Sequence, residues 1–358
     1  MADAPITYSQ ISTKGEFDGI TSAWADLHDR TGGPFLSHAL LSAWLHTLGQ
    51  RTRFEVRLAW QGPRLVAALP LALGGPPRAL VPLAEGRIGL AGALVAPDLA
   101  DRAGVLGRLL RVPLGRYLRL EAIEADEAAL MVAAARRAGL TATRRRTFIA
   151  QSVTFRDDDF DGFIGGLPHT TRRAARRTLR AHADVAGTET LGGDDAVVAD
   201  YARVARLSWK HRAGTGITAT PEGLAFLARL ARQARPGSLR IFAGFRGDQP
   251  VCCSFAVIDA GRCHLQADEF NEACSGAGHY AILDCLRWSM RNGCRELDFM
   301  RSNSVNAKLA NSERPLYRVV VGRRGDPTQL LQRIEGTRRH LRRAVAGHRT
   351  TRAGVLAR

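Results

Sequence analysis

CHLQADEFNEACSGAGHYA, running from Cys263 to Ala281, is the stretch whose reading decides the fold of this chain. Cys263–Phe270 has the composition of a β-strand. The residues after it include Gly276 and Gly278, which let a backbone turn sharply and approach a ligand closely. From about residue 279 the period changes: Ile282, Leu283, Leu286 and Met290 fall on one side of a helix. Strand, glycine loop and helix in that order present the free N–H groups of a helix start, a ready site for phosphate oxygens.

The flanks extend the pattern. Leu239–Phe245 and Val251–Ile258 read as strands joined by the turn 246–249, and the turn 259–261 leads into Cys263–Phe270. Three antiparallel strands therefore precede the loop. After the helix come strands at 295–300 and 316–322 and a helix at about 327–346. Upstream, helices are expected at about 158–182, 195–212 and 221–234. In the first half, helices at Trp24–His28 and Leu36–Leu48 precede strands at Glu55–Trp60 and Leu65–Leu73. A strand at Ile88–Val95, helix Asp101–Arg111, strand Tyr117–Ile123, helix Asp126–Ala138 and strand Thr147–Phe155 come next. Each half thus has helices, a hairpin, then helix–strand–helix. The expectation is an α/β protein of α+β type with two lobes, each a mixed, mostly antiparallel sheet flanked by helices. The boundaries are 1–156, 157–346 and a basic tail at 347–358.

Length and composition agree. The 358 residues suggest two domains. With 45% hydrophobic and 24% charged residues, the chain is neither disordered nor fibrous. The net charge is +17, and only Lys14, Lys210 and Lys308 are lysines, so the other 48 of 51 basic residues are arginine. The six cysteines lie between Cys252 and Cys294 with no C-x-x-C, so reduced thiols are expected and no metal site is. The N-terminus lacks the apolar run of a signal peptide. The longest apolar stretch, Leu65–Leu73, contains Pro70 and is too short to span a bilayer. A soluble, cytoplasmic protein is the expectation.

Two phosphate-binding readings compete for the loop. Gly276–Ala281 fits G-x-G-x-x-A, with Asp298 22 residues beyond Gly276, as in a dinucleotide fold. But antiparallel strands precede it, and about sixty residues after Asp298 leave no room for that fold's second half. The alternative is an acyl-donor loop. Antiparallel strands, x-x-G-x-G, helix and parallel strand are the order in the GNAT N-acetyltransferases, and the chain resembles the part of that superfamily holding CelD-like acetyltransferases and FemABX aminoacyltransferases. Phe35-Leu36-Ser37-His38 with Trp44 resembles the group's N-terminal motif. Leu167–Arg177 resembles its Arg-rich helix, Ser275–Gly278 occupies its donor loop, and Leu297–Arg301 with Asn306-Ala307-Lys308 resembles its ending. Ala273 stands where the family's donor loop starts with Gln or Arg, and Ala307 where an aromatic is frequent.

The resemblance implies an N-acyltransferase that passes an acyl group to an amine by direct attack. Acyl-CoA is the favoured donor, with aminoacyl-tRNA and acyl carrier protein behind it and no tightly bound cofactor. It implies donor contacts from Ser275, Gly276, Ala277, Gly278, His279 and Tyr280, and substrate contacts from Trp44 and Arg301. The residues add roles of their own. Arg172, Arg176 and Arg180, with Arg173 and Arg177, share one broad helix face, so Arg172 and Arg176 are candidates to meet donor phosphates. Asp268 or Glu269 would take the acceptor's proton. Lys308, one of three lysines, would hold an oxyanion, with Asp298 orienting it or the amine. Cys274 is a lesser candidate, as a covalent acyl carrier. Partners are the donor and a small or peptide amine, with tRNA as an alternative donor carrier; DNA is not expected. The rival reading is a non-catalytic protein that binds nucleic acid through its arginines.

Overall fold

The computed structural model describes residues 4–73, 79–84, 92–156, 159–300 and 304–325. The first half contains β1 (Ile6–Ile11), α1 (Lys14–Gly19), α2 (Thr21–Thr31), α3 (His38–His46), β2 (Arg53–Gln61), β3 (Arg64–Leu73), β4 (Ala79–Pro82), β5 (Leu94–Val95), α4 (Arg102–Leu109), β6 (Tyr117–Ile123), α5 (Ala125–Arg137) and β7 (Leu140–Thr154). The second contains α6 (Phe160–Gly166), α7 (His169–Ala181), β8 (Ala186–Thr190), α8 (Val197–Ala205), α9 (Trp209–Arg212), α10 (Pro221–Gln233), β9 (Leu239–Arg246), β10 (Gln249–Asp259), β11 (Arg262–Phe270), α11 (Ala277–Arg291), β12 (Glu296–Asp298), α12 (Asn306–Leu309) and β13 (Ser312–Arg323).

All the strands belong to one sheet, in the order β1-β2-β3-β4-β6-β13-β7-β12-β11-β10-β9-β8, with β5 beside β3. Two separate sheets were expected. They run as one because each half's last strand crosses over: β7 pairs with β12 of the second half, and β13 pairs with β6 of the first. At the centre β7 and β13 pair with each other along their length. The order reads alike from both edges. β4 and β6 are parallel, as are β11 and β12, and every other pairing on the path is antiparallel. One apolar core accordingly spans both halves, from Trp24 and Leu41 through Val319 to Phe226 and Phe255.

Local sequence explains most departures from expectation. The helix expected at 158–182 breaks into α6 and α7 at Leu167-Pro168, where Pro168 removes an N–H and pushes Leu167 to an extended conformation. The helix expected at 195–212 breaks before Ser208, whose side chain caps α9. Of the strand expected at Ile88–Val95, Leu94–Val95 is described and 85–91 lies outside the described residues, as do the helix at 327–346 and the tail. The cysteines are free and buried.

A buried charged cluster fastens the halves where the strands cross. Asp298, with no exposure, accepts from the ring of His264 at 2.9 Å and from the guanidinium of Arg314. Arg314 also pairs with Glu296 at 3.2 Å and Glu124 at 3.1 Å. Burial alone would raise the Asp298 pKa, but the His264 hydrogen bond and the Arg314 charge outweigh it and hold it low. A depressed carboxyl stabilises the fold above its unfolded pKa and loses that contribution as the pH falls through the folded value. Arg314→Met, which strands the Asp298 charge, should therefore cost about 3–5 kcal/mol in urea unfolding at neutral pH. The deficit should narrow in acid.

Candidate active site

Parallel pairing between β11 and β12 covers only Arg262↔Glu296, Cys263↔Leu297 and His264↔Asp298. From Leu265 to Phe270, β11 has no strand on that side among the described residues. A register shift at Phe255/Ala256 leaves Gln266 as an extra residue of β11 against β10, a bulge that bends the strand where the two part. β11 is thus splayed from its neighbour, and its open edge leads straight to the glycine loop.

The loop is built by its own side chains. Asn271 takes the Ala273 N–H on its oxygen at 3.0 Å and donates to the Pro250 carbonyl at 3.0 Å. Gly276 has φ of 85°, a left-handed cap that glycine adopts without a Cβ penalty, and α11 starts at Ala277. The Ala277 and Tyr280 N–H groups are taken by Cys274 and Gly276 carbonyls, whereas those of Gly276, Gly278 and His279 have no protein partner among the described residues. Of these five N–H groups, three are therefore free and two are used internally.

α7 lies against this helix start. The Thr178 hydroxyl is 3.2 Å from His279 Nδ1, and the His182 ring stacks on Tyr280 at 5.1 Å. Thr171, Ala175 and Thr178 form the buried side of α7, while Arg173, Arg176, Arg177 and Arg180 are exposed. None of these four arginines has a carboxylate partner among the described residues. Arg172 instead donates to the Gly165 carbonyl at 2.7 Å, closing the α6–α7 corner. Lys308 is exposed on α12, and its charge, after burial, contributes to lowering the His279 pKa. The Lys308 charge is thus within electrostatic reach of His279 at the start of α11.

The pleat gives the two acids opposite environments. Asp268 receives Lys210 Nζ at 3.1 Å on its carboxylate and at 2.5 Å on its carbonyl. Glu269 has no exposure and, among the described residues, no ion pair; the Tyr201 hydroxyl and the Ile217 N–H lie near its carboxylate and favour its charge, but neither reaches good hydrogen-bond geometry. Burial raises its pKa, with Lys210 opposing. It faces a cleft of about 410 Å³ lined by Trp209, Lys210, the 214–217 turn, Gln266 and, from the first half, Leu48. Gly216 is needed there because a Cβ would come within 2.8 Å of Glu269 Oε2. A larger cavity of about 600 Å³ lies between the halves at the β10–β11 turn, the opposite end of β11 from the donor loop. The smaller cleft is therefore the one that adjoins the splay.

Other expected site residues are placed elsewhere. Asp298 is committed to His264, Arg314 and, at 2.8 Å, the Met300 N–H, and no contact joins it to Lys308 among the described residues. Trp44 is buried and packs over Gly49. Cys274 is buried in the loop. Arg301 lies outside the described residues. Sequence alone does not single out Tyr201, buried beside Glu269, or Trp209, Lys210, Gly216 and Gln266; the rarity of lysine is the one signal pointing to Lys210.

Residues 169–308 match the family model described as an acetyltransferase (GNAT) domain. The chain carries a GNAT domain. A domain of this kind makes the protein a transferase, and the splayed strands, glycine loop and α11 lie inside the matched segment. The fold resembles that of FemX, with a TM-score of 0.57 at 9% identity over 91% of this chain and 99% of that one. It is also similar to the C-terminal domain of a putative lysylphosphatidylglycerol synthetase from Agrobacterium fabrum, with a TM-score of 0.55 at 11% identity over 89% and 96%. L-PGS from Bacillus licheniformis gives a TM-score of 0.54 at 13% identity over 86% and 94%. No curated protein matches the chain.

A raised carboxyl pKa favours the folded state fully below the unfolded value and loses that advantage as the pH rises through the folded one. Glu269→Gln, which removes the charge and keeps the shape, should therefore stabilise the GNAT domain at pH 8, by about 1 kcal/mol for relief of a buried unpaired group. The gain should vanish near pH 4. Urea midpoints at the two pH values check this.

Proposed function

We propose that this transferase moves an acyl group from acyl-CoA to an amine, with Glu269 as the general base. The observation that carries the reading is a buried carboxylate of raised pKa, with no ion pair, beside the open edge of β11. The donor's pantetheine arm lies along Leu265–Phe270, where edge N–H and C=O groups await partners, as in strand addition. Its pyrophosphate meets the free N–H groups of Gly276, Gly278 and His279 at the helix start. Lys308 and the exposed arginines of α7 supply the surrounding positive charge.

The acceptor enters the cleft as an amine. Its nitrogen attacks the thioester carbonyl, the C–N bond forms, and the proton lost from nitrogen passes to Glu269. The oxyanion collapses, the C–S bond breaks and the CoA thiolate leaves. A base with a pKa raised toward neutrality suits this transfer. Lys308, beside the phosphates of this arrangement, serves the donor, and Asp298 holds β12 in place.

Four unpaired arginines on one helix face favour a second reading, in which a much larger polyanion, an aminoacyl-tRNA, delivers the acyl group. Ser275→Asp separates loop recognition from the helix face. It places a carboxylate at the exposed loop tip; Gly278 is unsuited because a Cβ there would meet the Phe270 ring at 2.6 Å. With acyl-CoA as donor, Ser275→Asp should raise KM for acetyl-CoA about tenfold or more through phosphate repulsion. Arg176→Ala with Arg177→Ala should have a smaller effect. Dominance of the arginine pair, with transfer seen only from charged tRNA, would favour the second reading. Glu269→Gln should lower kcat by about 10²–10⁴ and abolish the acid limb of the pH–rate profile.

A further inference from the structure

The cleft beside Glu269 also constrains the acceptor, a conclusion that rests on the acyl-transfer reading of that site. Two ionisable residues line it, Lys210 and Glu269. Lys210 is committed twice over to Asp268, and α9, which carries it, is clamped again by the ion pair of Arg212 with Glu272. The one charge lining the cleft without an ion pair is thus the Glu269 carboxylate. No free cation among the lining residues is available to neutralise an anion.

Three further features define what sits beside the amine. Gln266, on the bulge, has a buried side-chain amide nitrogen with no partner, and a buried donor left unpaired is costly. Its need is an oxygen acceptor on the ligand. Trp209 is 47% exposed, and with Leu48 it offers an apolar wall for the ligand's C–H surface. The volume, about 410 Å³, is that of a small-molecule site.

We infer that the acceptor is a primary amine on a small, uncharged body bearing a hydroxyl or carbonyl oxygen near the nitrogen, and that amines carrying a carboxylate or phosphate are rejected. The amine donates an N–H to Glu269, the oxygen accepts from Gln266, and the carbon skeleton lies against Trp209. An anionic substituent would meet Glu269 and the Asp268 side with nothing free to compensate.

The test uses the full-length protein with acetyl-CoA and matched amines: serinamide against serine, glucosamine against glucosamine 6-phosphate, and cyclohexylamine as an amine without oxygen. Acylated product is read by mass spectrometry, and binding of each amine by saturation-transfer NMR. Serinamide and glucosamine should exceed their anionic partners by about tenfold or more in kcat/KM or in affinity, the scale of one unfavourable charge contact. Gln266→Leu should erase the advantage of the oxygen-bearing amines over cyclohexylamine, read as the ratio of their kcat/KM values within that variant. Equal or better use of serine or glucosamine 6-phosphate would overturn the inference and leave acyl transfer standing. Failure of all five amines to bind or react, with CoA still bound, would also overturn it. Failure to bind CoA would remove the acyl-transfer reading beneath it. The wild-type comparison stands even where Gln266→Leu does not fold.

Discussion

Parallel pairing between β11 and β12 lasts only three residues, and the site depends on where it stops. Beyond His264 the strands part, and β11 runs on with an unpaired edge into the loop that starts α11. Had the pairing continued, the slot would be closed. The bulge at Gln266 bends the strand where separation begins, and Asp298, the last paired residue of β12, is tied down by His264 and Arg314. The buried charges around Asp298 thus serve position, whereas Glu269 is buried without an ion pair.

The exchange of last strands explains why a single sheet supports a one-sided site. Both halves share the succession of pairings, so each has a parallel step, β4 with β6 and β11 with β12. Only the second half adds α6 and α7 before its first strand and a G-x-G loop before the helix between its parallel strands. α7 buries Thr171, Ala175 and Thr178 against the domain and turns four arginines outward. The first half supplies Leu48 to the cleft wall.

Much of this was legible in sequence. The three antiparallel strands, glycine loop, helix and following strand at 239–298 have strong periodicity and turn residues, and they fold as read. β8 was not legible, because most of its residues are exposed and no alternation marks it. The first part of β7, rich in Thr and Arg, hid for the same reason. Strand crossing is a long-range pairing that no local pattern encodes. Among candidate site residues, Asp268 and Glu269 were equivalent in sequence; the pleat makes one an ion-pair partner and the other a buried carboxylate. Asp298 looked like a site residue because it ends a strand beside the loop, yet its burial beside His264 and Arg314 arises from residues far away in sequence. Gln266 carried no signal, since a bulge depends on the partner strand.

Hydrogen exchange of the backbone with and without CoA tests the central claim most directly, because the claim concerns which N–H groups the donor engages. Saturating CoA should slow exchange along Leu265–Phe270 and through Ser275–Tyr280, with little change in β1 to β6. Protection confined to the first half, or to the arginine face of α7 with the β11 edge unaffected, would contradict it.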